Sequence, residues 1–336
     1  MTRSCVRGAR FDRCIRALAA ATAATTLVAG LPLSAQPPAV DAAVHMPPPR
    51  LDIAAPTPSV LARPYALRRA ASTVALSMGN VGAVLTDADV LFYNPAMLTQ
   101  ARGMALSVQS DHPDATNGAI ASAQTLGGLG LGVGARVATW RGTAPDMAFV
   151  RPSSRDLVTS SVALTAGAAR GVGPVRVGLS ATYAREAGEL AQREHTTVDV
   201  AATLPFGPGN ALNASVIVQH VGRAIAPLAD DDAPWRTLLA FGGRNYPLAT
   251  FWDLSAFTQL MFDADGTVRT AGGAELAWVP LEGVAVALRG GVRDGAPVER
   301  PYTAGVGVSL DSWSVDYALD PRRDGRVSHR IGVRIR

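Results

Sequence analysis

The chain contains no lysine, so every permanent side-chain cation is an arginine. A GC-rich genome gives such a bias, and no function follows from it. Cysteine is nearly missing: Cys5 and Cys14 are the only two, and both lie near the N-terminus. The rest of the chain therefore has no disulfide framework, zinc–thiolate centre or cysteine nucleophile. Charge is also scarce, with 17% of residues charged against 48% hydrophobic, a balance too apolar for a disordered chain. Beyond the N-terminal segment no apolar run reaches about 18 residues, so no membrane-crossing helix is expected. There is no Walker loop, no HExxH and no GxSxG. His45, His112, His195, His220 and His329 are scattered without metal-ligand spacing. "GGLGLGVG" (127–134) alternates as a strand does. "DADGT" (263–267) lacks the later ligands of a calcium loop and reads as a hairpin turn, and "ADDDAP" (229–234) reads as a solvated loop. No enzymatic activity, cofactor or metal is expected.

Glycine and proline are abundant, at 33 and 23 residues. The prolines mark a boundary. Residues 1–35 carry a basic stretch, an apolar stretch "ALAAATAATTLVAGLPL" and a small-residue site at Leu33-Ser34-Ala35, the layout of a secretory signal peptide. Residues 36–65 are a Pro/Ala-rich arm or linker. Signal removal takes 31 Lys+Arg to 26 and 27 Asp+Glu to 26, so the mature chain is about neutral. The formal net charge of +4 belongs largely to the leader, and nucleic acid is not expected as a partner.

From Arg102 the hydrophobic period becomes two. In "LGLGVGARVATW", Leu129, Leu131, Val133, Ala135 and Val137 share one face, and Gly130, Gly132, Gly134 and Arg136 share the other. "VRVGLSATYAR" and "FWDLSAFTQLMF" repeat the design. The pattern predicts an all-β chain of fourteen strands at 102–111, 118–125, 129–140, 156–169, 175–185, 194–204, 211–222, 234–244, 251–262, 267–278, 283–293, 302–310, 313–320 and 326–336. Strands of about 9–11 residues suit a tilted transmembrane strand, whereas soluble strands average about 5–6. Alternate connections are longer, at about 6, 15, 8, 11, 4, 8 and 5 residues against 3, 5, 6, 6, 4 and 2, the asymmetry of an outer-membrane antiparallel barrel. Residues 102–336 are assigned to that barrel, with lipid as its surroundings.

On this reading Arg176, Asp199, Asp253, Arg269, Glu275, Arg289, Asp316, Arg330 and Arg334 face a wet lumen, because isolated mid-strand charges are costly in a dry core. Trp140, Trp235, Trp278, Trp313 and Tyr302 are expected outside, in an interfacial girdle. A barrel this wide encloses a lumen or a plug. Residues 66–101 precede the first strand and are too irregular to be one, so they are expected inside as a hatch. Asn94 is expected to cap a helical turn begun by Pro95, with Gly79 and Gly82 letting the hatch approach the wall.

"ALSMGNVGAVLTDADVLFYNPAML" resembles the N-terminal segment of FadL-type outer-membrane barrels and of the related PorV/PorQ group. The matching residues are Met78, Gly79, Gly82, Ala83, Asp87, Ala88, Asp89, Tyr93, Asn94, Pro95, Ala96 and Leu98. Position 97 is Met where the family often has Gly, and the chain ends in Arg336 where an outer-membrane barrel commonly has an aromatic residue. The resemblance implies a fourteen-stranded barrel with the segment inside it. It also implies passage of hydrophobic small molecules across the outer membrane. The alternative it implies is a PorV/PorQ-like accessory of protein secretion, binding envelope proteins through loops near 141–155, 186–193 and 223–233.

Overall fold

Alternation over 235 residues leaves one way to satisfy every backbone group away from water, which is to close the sheet on itself. The computed structural model describes residues 64–112, 115–141, 158–187, 192–224, 235–294 and 299–336. The expected signal peptide, the arm up to residue 63 and the acidic 229–234 loop lie outside the described residues. Fourteen strands are present among those described: β1 Gly103–His112, β2 Ala115–Leu126, β3 Leu129–Arg141, β4 Val158–Val172, β5 Val175–Ala187, β6 Gln192–Phe206 and β7 Leu212–Ala224. They continue as β8 Arg236–Ala249, β9 Trp252–Asp263, β10 Val268–Leu281, β11 Val284–Arg293, β12 Tyr302–Leu310, β13 Trp313–Pro321 and β14 Val327–Ile335. Each pairs antiparallel with its sequence neighbours. β14 returns to β1, with Met104 opposite Ile335 and Ser110 opposite His329, so the barrel closes.

Each strand overlaps the expected strand of the same rank. β8 runs five residues past its expected end at 244, because bulges between Gly243 and Tyr246 and between Pro247 and Ala249 break the period of two. β2 begins at Ala115 rather than 118, which shortens the first connection to 113–114. The other connections at that end are 142–157, 188–191, 225–235, 264–267, 294–301 and 322–326; the opposite end has 127–128, 173–174, 207–211, 250–251, 282–283 and 311–312. In the tight β2–β3 turn both Gly127 and Gly128 have positive φ, the backbone a two-residue hairpin requires. Residues 263–267 also form a turn, closed by Asp263 N–H to Thr267 O at 2.9 Å.

The outer face is apolar along its length, with Val133, Leu164, Leu179, Leu288, Val292 and Ile331 all more than half exposed. A water-facing surface of this kind would drive association, whereas a bilayer covers it. Trp235, Trp278, Trp313 and Tyr302 sit in this face toward the strand ends, as a girdle requires. Trp140 corrects that expectation. It shares its face of β3 with the inward Arg136 and Ala138, it is 6% exposed, and its ring lies 4.5 Å from that of Tyr65 inside the barrel.

Candidate functional site

The interior is occupied by the chain's own N-terminal segment, described from Pro64. Helix α1 (Tyr65–Arg68) sits at the end with the longer connections. There Tyr65 N donates to Glu186 Oε2 at 2.8 Å and Ala66 N to Ser161 Oγ at 3.2 Å. Arg69 follows, its guanidinium 2.6 Å from Asp111 on β1. Tyr65 belongs to the packed segment, although the sequence placed it in the arm.

Helix α2 (Thr73–Ser77) is capped by Ser72, whose Oγ accepts from Ala75 N at 3.2 Å. It lies on β12–β14, where Ser77 abuts Gly305 and Thr73 abuts Gly332. Met78 and Gly79 then cross β10 and β11. Gly79 has φ +74, its N donates to Thr303 Oγ1 at 2.9 Å, and a Cβ there would lie 2.6 Å from Val292 O. Gly82 departs from its expected role: a Cβ on it would meet the Tyr93 ring at 2.4 Å, so it makes room within the plug and not at the wall. The Tyr93 hydroxyl accepts from Ala71 N and Ser72 N at 2.9 and 3.1 Å, and bonds Asn80 Oδ1 at 3.1 Å.

Asp87 precedes a 3₁₀ helix (Ala88–Phe92) and Asn94 a second one (Pro95–Thr99). Asn94 is fully buried. Its Oδ1 accepts from Ala96 N at 3.1 Å, the expected cap, with Pro95 in the first helical position. Its Nδ2 does more than the sequence disclosed, reaching Ala83 O at 2.6 Å, Thr203 Oγ1 on β6 at 3.0 Å and Ser215 Oγ on β7 at 3.1 Å. Ala96 and Pro95 lie directly on Gly178 of β5, where a Cβ would be 2.3 Å from Ala96 N. Leu98 sits the same way on Gly130 of β3.

The carboxyls of the Asp-Ala-Asp element have opposite fates. Burial would raise Asp87, but the guanidiniums of Arg334, Arg244 and Arg336 outweigh it and hold the group well below the usual carboxylate range. Asp89 is pushed up to about 6, first by burial and then by the neighbouring Asp87 charge.

The expected lumen charges divide into three groups. Glu275, Arg289, Asp316 and Arg334 form one buried chain: Arg289 Nε–Glu275 2.5 Å, Arg289 Nη1–Asp316 2.6 Å and Arg334 Nε–Asp316 2.7 Å. Arg330, fully buried, uses neutral partners, namely Gln109, Asn117 and Ser107 at 2.6 to 2.9 Å. The others are isolated from that chain. Arg176 donates to Asn213 at 3.1 Å, and Arg269 pairs with Asp263 across the 263–267 turn. Asp253 is half-buried on the inward face of β9. Asp199 is buried on β6 and accepts from His220 N at 2.7 Å, where a bulge gives His220 a φ of +61. Parity alone could have added Arg69's partner Asp111, and Asp320, which pairs with Arg293 at 2.5 Å. His195 and His220 are buried in the wall, and His329 faces outward, its Nδ1 2.6 Å from Tyr317 Oη. Among the described residues no cluster of His, Cys, Asp and Glu could hold a metal.

Large apolar side chains of the wall gather on β7–β9. Ile217 on β7, Leu238 on β8 and Phe257 on β9 point inward and form a continuous core with Val84, Leu91 and Met97 of the plug, with the partly buried Met261 against it.

No protein-family model matches this chain. No curated protein matches it either. Solved structures do. The CymD monoaromatic hydrocarbon channel superposes with a TM-score of 0.52 at 11% identity, covering 79% of this chain and 97% of that one. The toluene transporter TbuX of Ralstonia pickettii gives 0.51 at 13%, covering 79% and 98%. A deltaS2 mutant of the TodX monoaromatic hydrocarbon channel gives 0.54 at 10%, with the same coverage. At these identities the likeness is one of fold.

Proposed function

We propose that the chain is exported by its N-terminal signal and works in the outer membrane as a FadL-like channel, passing hydrophobic small molecules. The observation that carries this reading is the stripe of large apolar side chains, Ile217, Leu238, Phe257 and Met261, running down β7–β9 against the plug, where the other strands present mostly small and polar residues. The stripe packs against the plug, and an apolar solute moving between plug and wall there is solvated by it where an ion or sugar is not. The shared fold with three proteins described as hydrocarbon channels or transporters supports it. The Glu275–Arg289–Asp316–Arg334 chain lies on β10, β11, β13 and β14, away from the stripe, although Arg236 of β8 reaches Met261 Sδ at 3.6 Å and so marks a polar edge to the path. Whole-cell uptake of a panel of monoaromatic and aliphatic solutes tests the proposal. Phe257→Arg is expected to reduce uptake several-fold while the barrel still migrates in its folded form, and unchanged uptake of every solute on deletion rejects it.

One observation favours the alternative, a PorV/PorQ-like accessory that binds envelope proteins and conducts nothing. Plug backbone rests directly on wall glycines of β3, β5, β10 and β11, which leaves no gap at those strands. Co-purification of other envelope proteins, lost when the longer connections are trimmed, separates this role from transport.

A further inference from the structure

The first and last strands must find each other across the whole barrel sequence, and loop-closure entropy opposes that pairing more than any hairpin. At this seam the plug touches both sides. On the β14 side, Asp87 is 3% exposed and accepts from Arg334 Nη1 at 2.5 Å and from Arg336 Nη2 at 2.9 Å. On the β1 side, the Asp87 backbone bridges to Arg102, just before the strand starts. Farther along, Ala71 O accepts from Ser107 Oγ of β1 at 3.0 Å, and that same Oγ accepts from Arg330 of β14 at 2.6 Å. Arg69 holds Asp111 near the other end of β1.

We infer that the plug is the clasp of the barrel seam, with Asp87 as its central tooth. Arg334 spends its other edge on Asp316, which also serves Arg289, which serves Glu275. The chain thus runs from the plug through β14, β13 and β11 to β10. It passes β12 only because Gly307 is there: a Cβ at that position would lie 2.5 Å from Asp316 Oδ1 and 2.7 Å from Arg289 Nη1. Asp87 gives the buried Arg334 a second carboxylate besides Asp316 and draws in the half-exposed Arg336, beside the one strand pair that no hairpin turn joins. A plug that merely filled the lumen would need no such contact at the β1–β14 seam. The inference is independent of what the lumen carries.

Hydrogen exchange of the refolded full-length protein in lipid vesicles, resolved by segment, reads the seam directly. Asp87→Asn is expected to speed exchange at least about tenfold at 104–110 and 329–335, with 165–182 on β4 and β5 unchanged. Arg334→Gln should give the same map. Where Asp87→Asn fails to close at all, a cysteine pair at Val108 and Ile331, which are register partners on the lipid face and touch no plug residue, should restore the compact heat-modifiable form on oxidation. Loosening confined to 73–101 with a tight seam overturns the inference. So does uniform loss of protection over all strands, or failure of the Val108–Ile331 cross-link to rescue closure.

Discussion

The two sides of the inner wall hold the same plug by different means. From β10 through β14 to β1, the wall presents buried ion pairs, and the plug answers with Asp87 and Arg69. From β3 to β7 it presents mostly small residues and neutral hydroxyls such as Thr165, Thr182, Thr203 and Ser215, with Arg136 and Asp199 as buried charges outside that ion-pair chain, and the plug answers with close packing, the Phe92 ring under Arg136 and the Asn94 amide. The difference is one of tolerance. A charge network fails hard when one member goes, because a buried ion is left without its partner. A packed, neutral face loses a bond or a contact at a time.

The largest effect should therefore come from the charged side. Arg289→Leu leaves Glu275 and Asp316 buried without their shared guanidinium, and is expected to cost about 3–5 kcal/mol. Urea unfolding in vesicles should show a fall in midpoint of matching size. A loss under about 1 kcal/mol would mean that water reaches the pair and that the two sides do not differ as argued.

Next is a pH effect confined to the same side. The Asp89 carboxyl, at about 6 in the folded plug against an ordinary 3.8, keeps its proton where a released plug has already lost it. Its folded value is raised, so the plug is held most firmly below about 4 and less firmly as pH rises through 6, by about 3 kcal/mol at most. Arg334, Asp316, Ser72 and Asp87 face this group. Asp87 acts in the opposite sense, its contribution fading only as pH falls below its ordinary value. Protease nicking between 64 and 101 should rise from pH 5 to pH 7.5 in the wild type, and Asp89→Asn should flatten that rise.

On the neutral side, Gly178→Val drives a side chain into the Ala96 backbone and should cost about 1–3 kcal/mol, seen as nicking of the plug with the strands still protected. Asn94→Ala should cost about 1–3 kcal/mol through the stranded Ala96 N–H and Ala83 carbonyl, more than a bare helix cap lost at a solvated end.

The barrel was legible because alternation is local: each strand declares its two faces within ten residues, and the inward charges follow by parity. Trp140 shows the weakness of residue-type reasoning, since its chemistry suggested the lipid boundary while its parity with Arg136 already placed it inside. Asn94 was legible as a cap because its partner is two residues away; its bonds to Thr203 and Ser215 cross more than a hundred residues and leave no local trace. The same holds for Gly178 and Gly130. In sequence they are the small members of an alternating pair, and only the fold shows plug backbone resting on them. Which arginine meets which carboxylate depends on strand order and on Gly307, and no spacing rule encodes that.

The smallest expected effect tests the neutral side most sharply. Thr165 and Thr182 share one hydrogen bond of 2.9 Å between β4 and β5, and both are buried. Thr165→Val alone strands the Thr182 hydroxyl and should cost about 1–2 kcal/mol. Changing both to Val removes donor and acceptor together, replaces them with a side chain of nearly the same shape, and should return stability to within about 0.5 kcal/mol of the wild type. The coupling between the two substitutions is thus expected to be large relative to either alone, and a double-mutant cycle on urea midpoints measures it. The equivalent cycle on Arg289 and Glu275 should not close in this way, because Asp316 and Arg334 remain charged beside the site. If the threonine pair instead loses as much as the sum of its single variants, neutral bonds are as indispensable as ionic ones here, and the contrast between the two sides of the wall disappears.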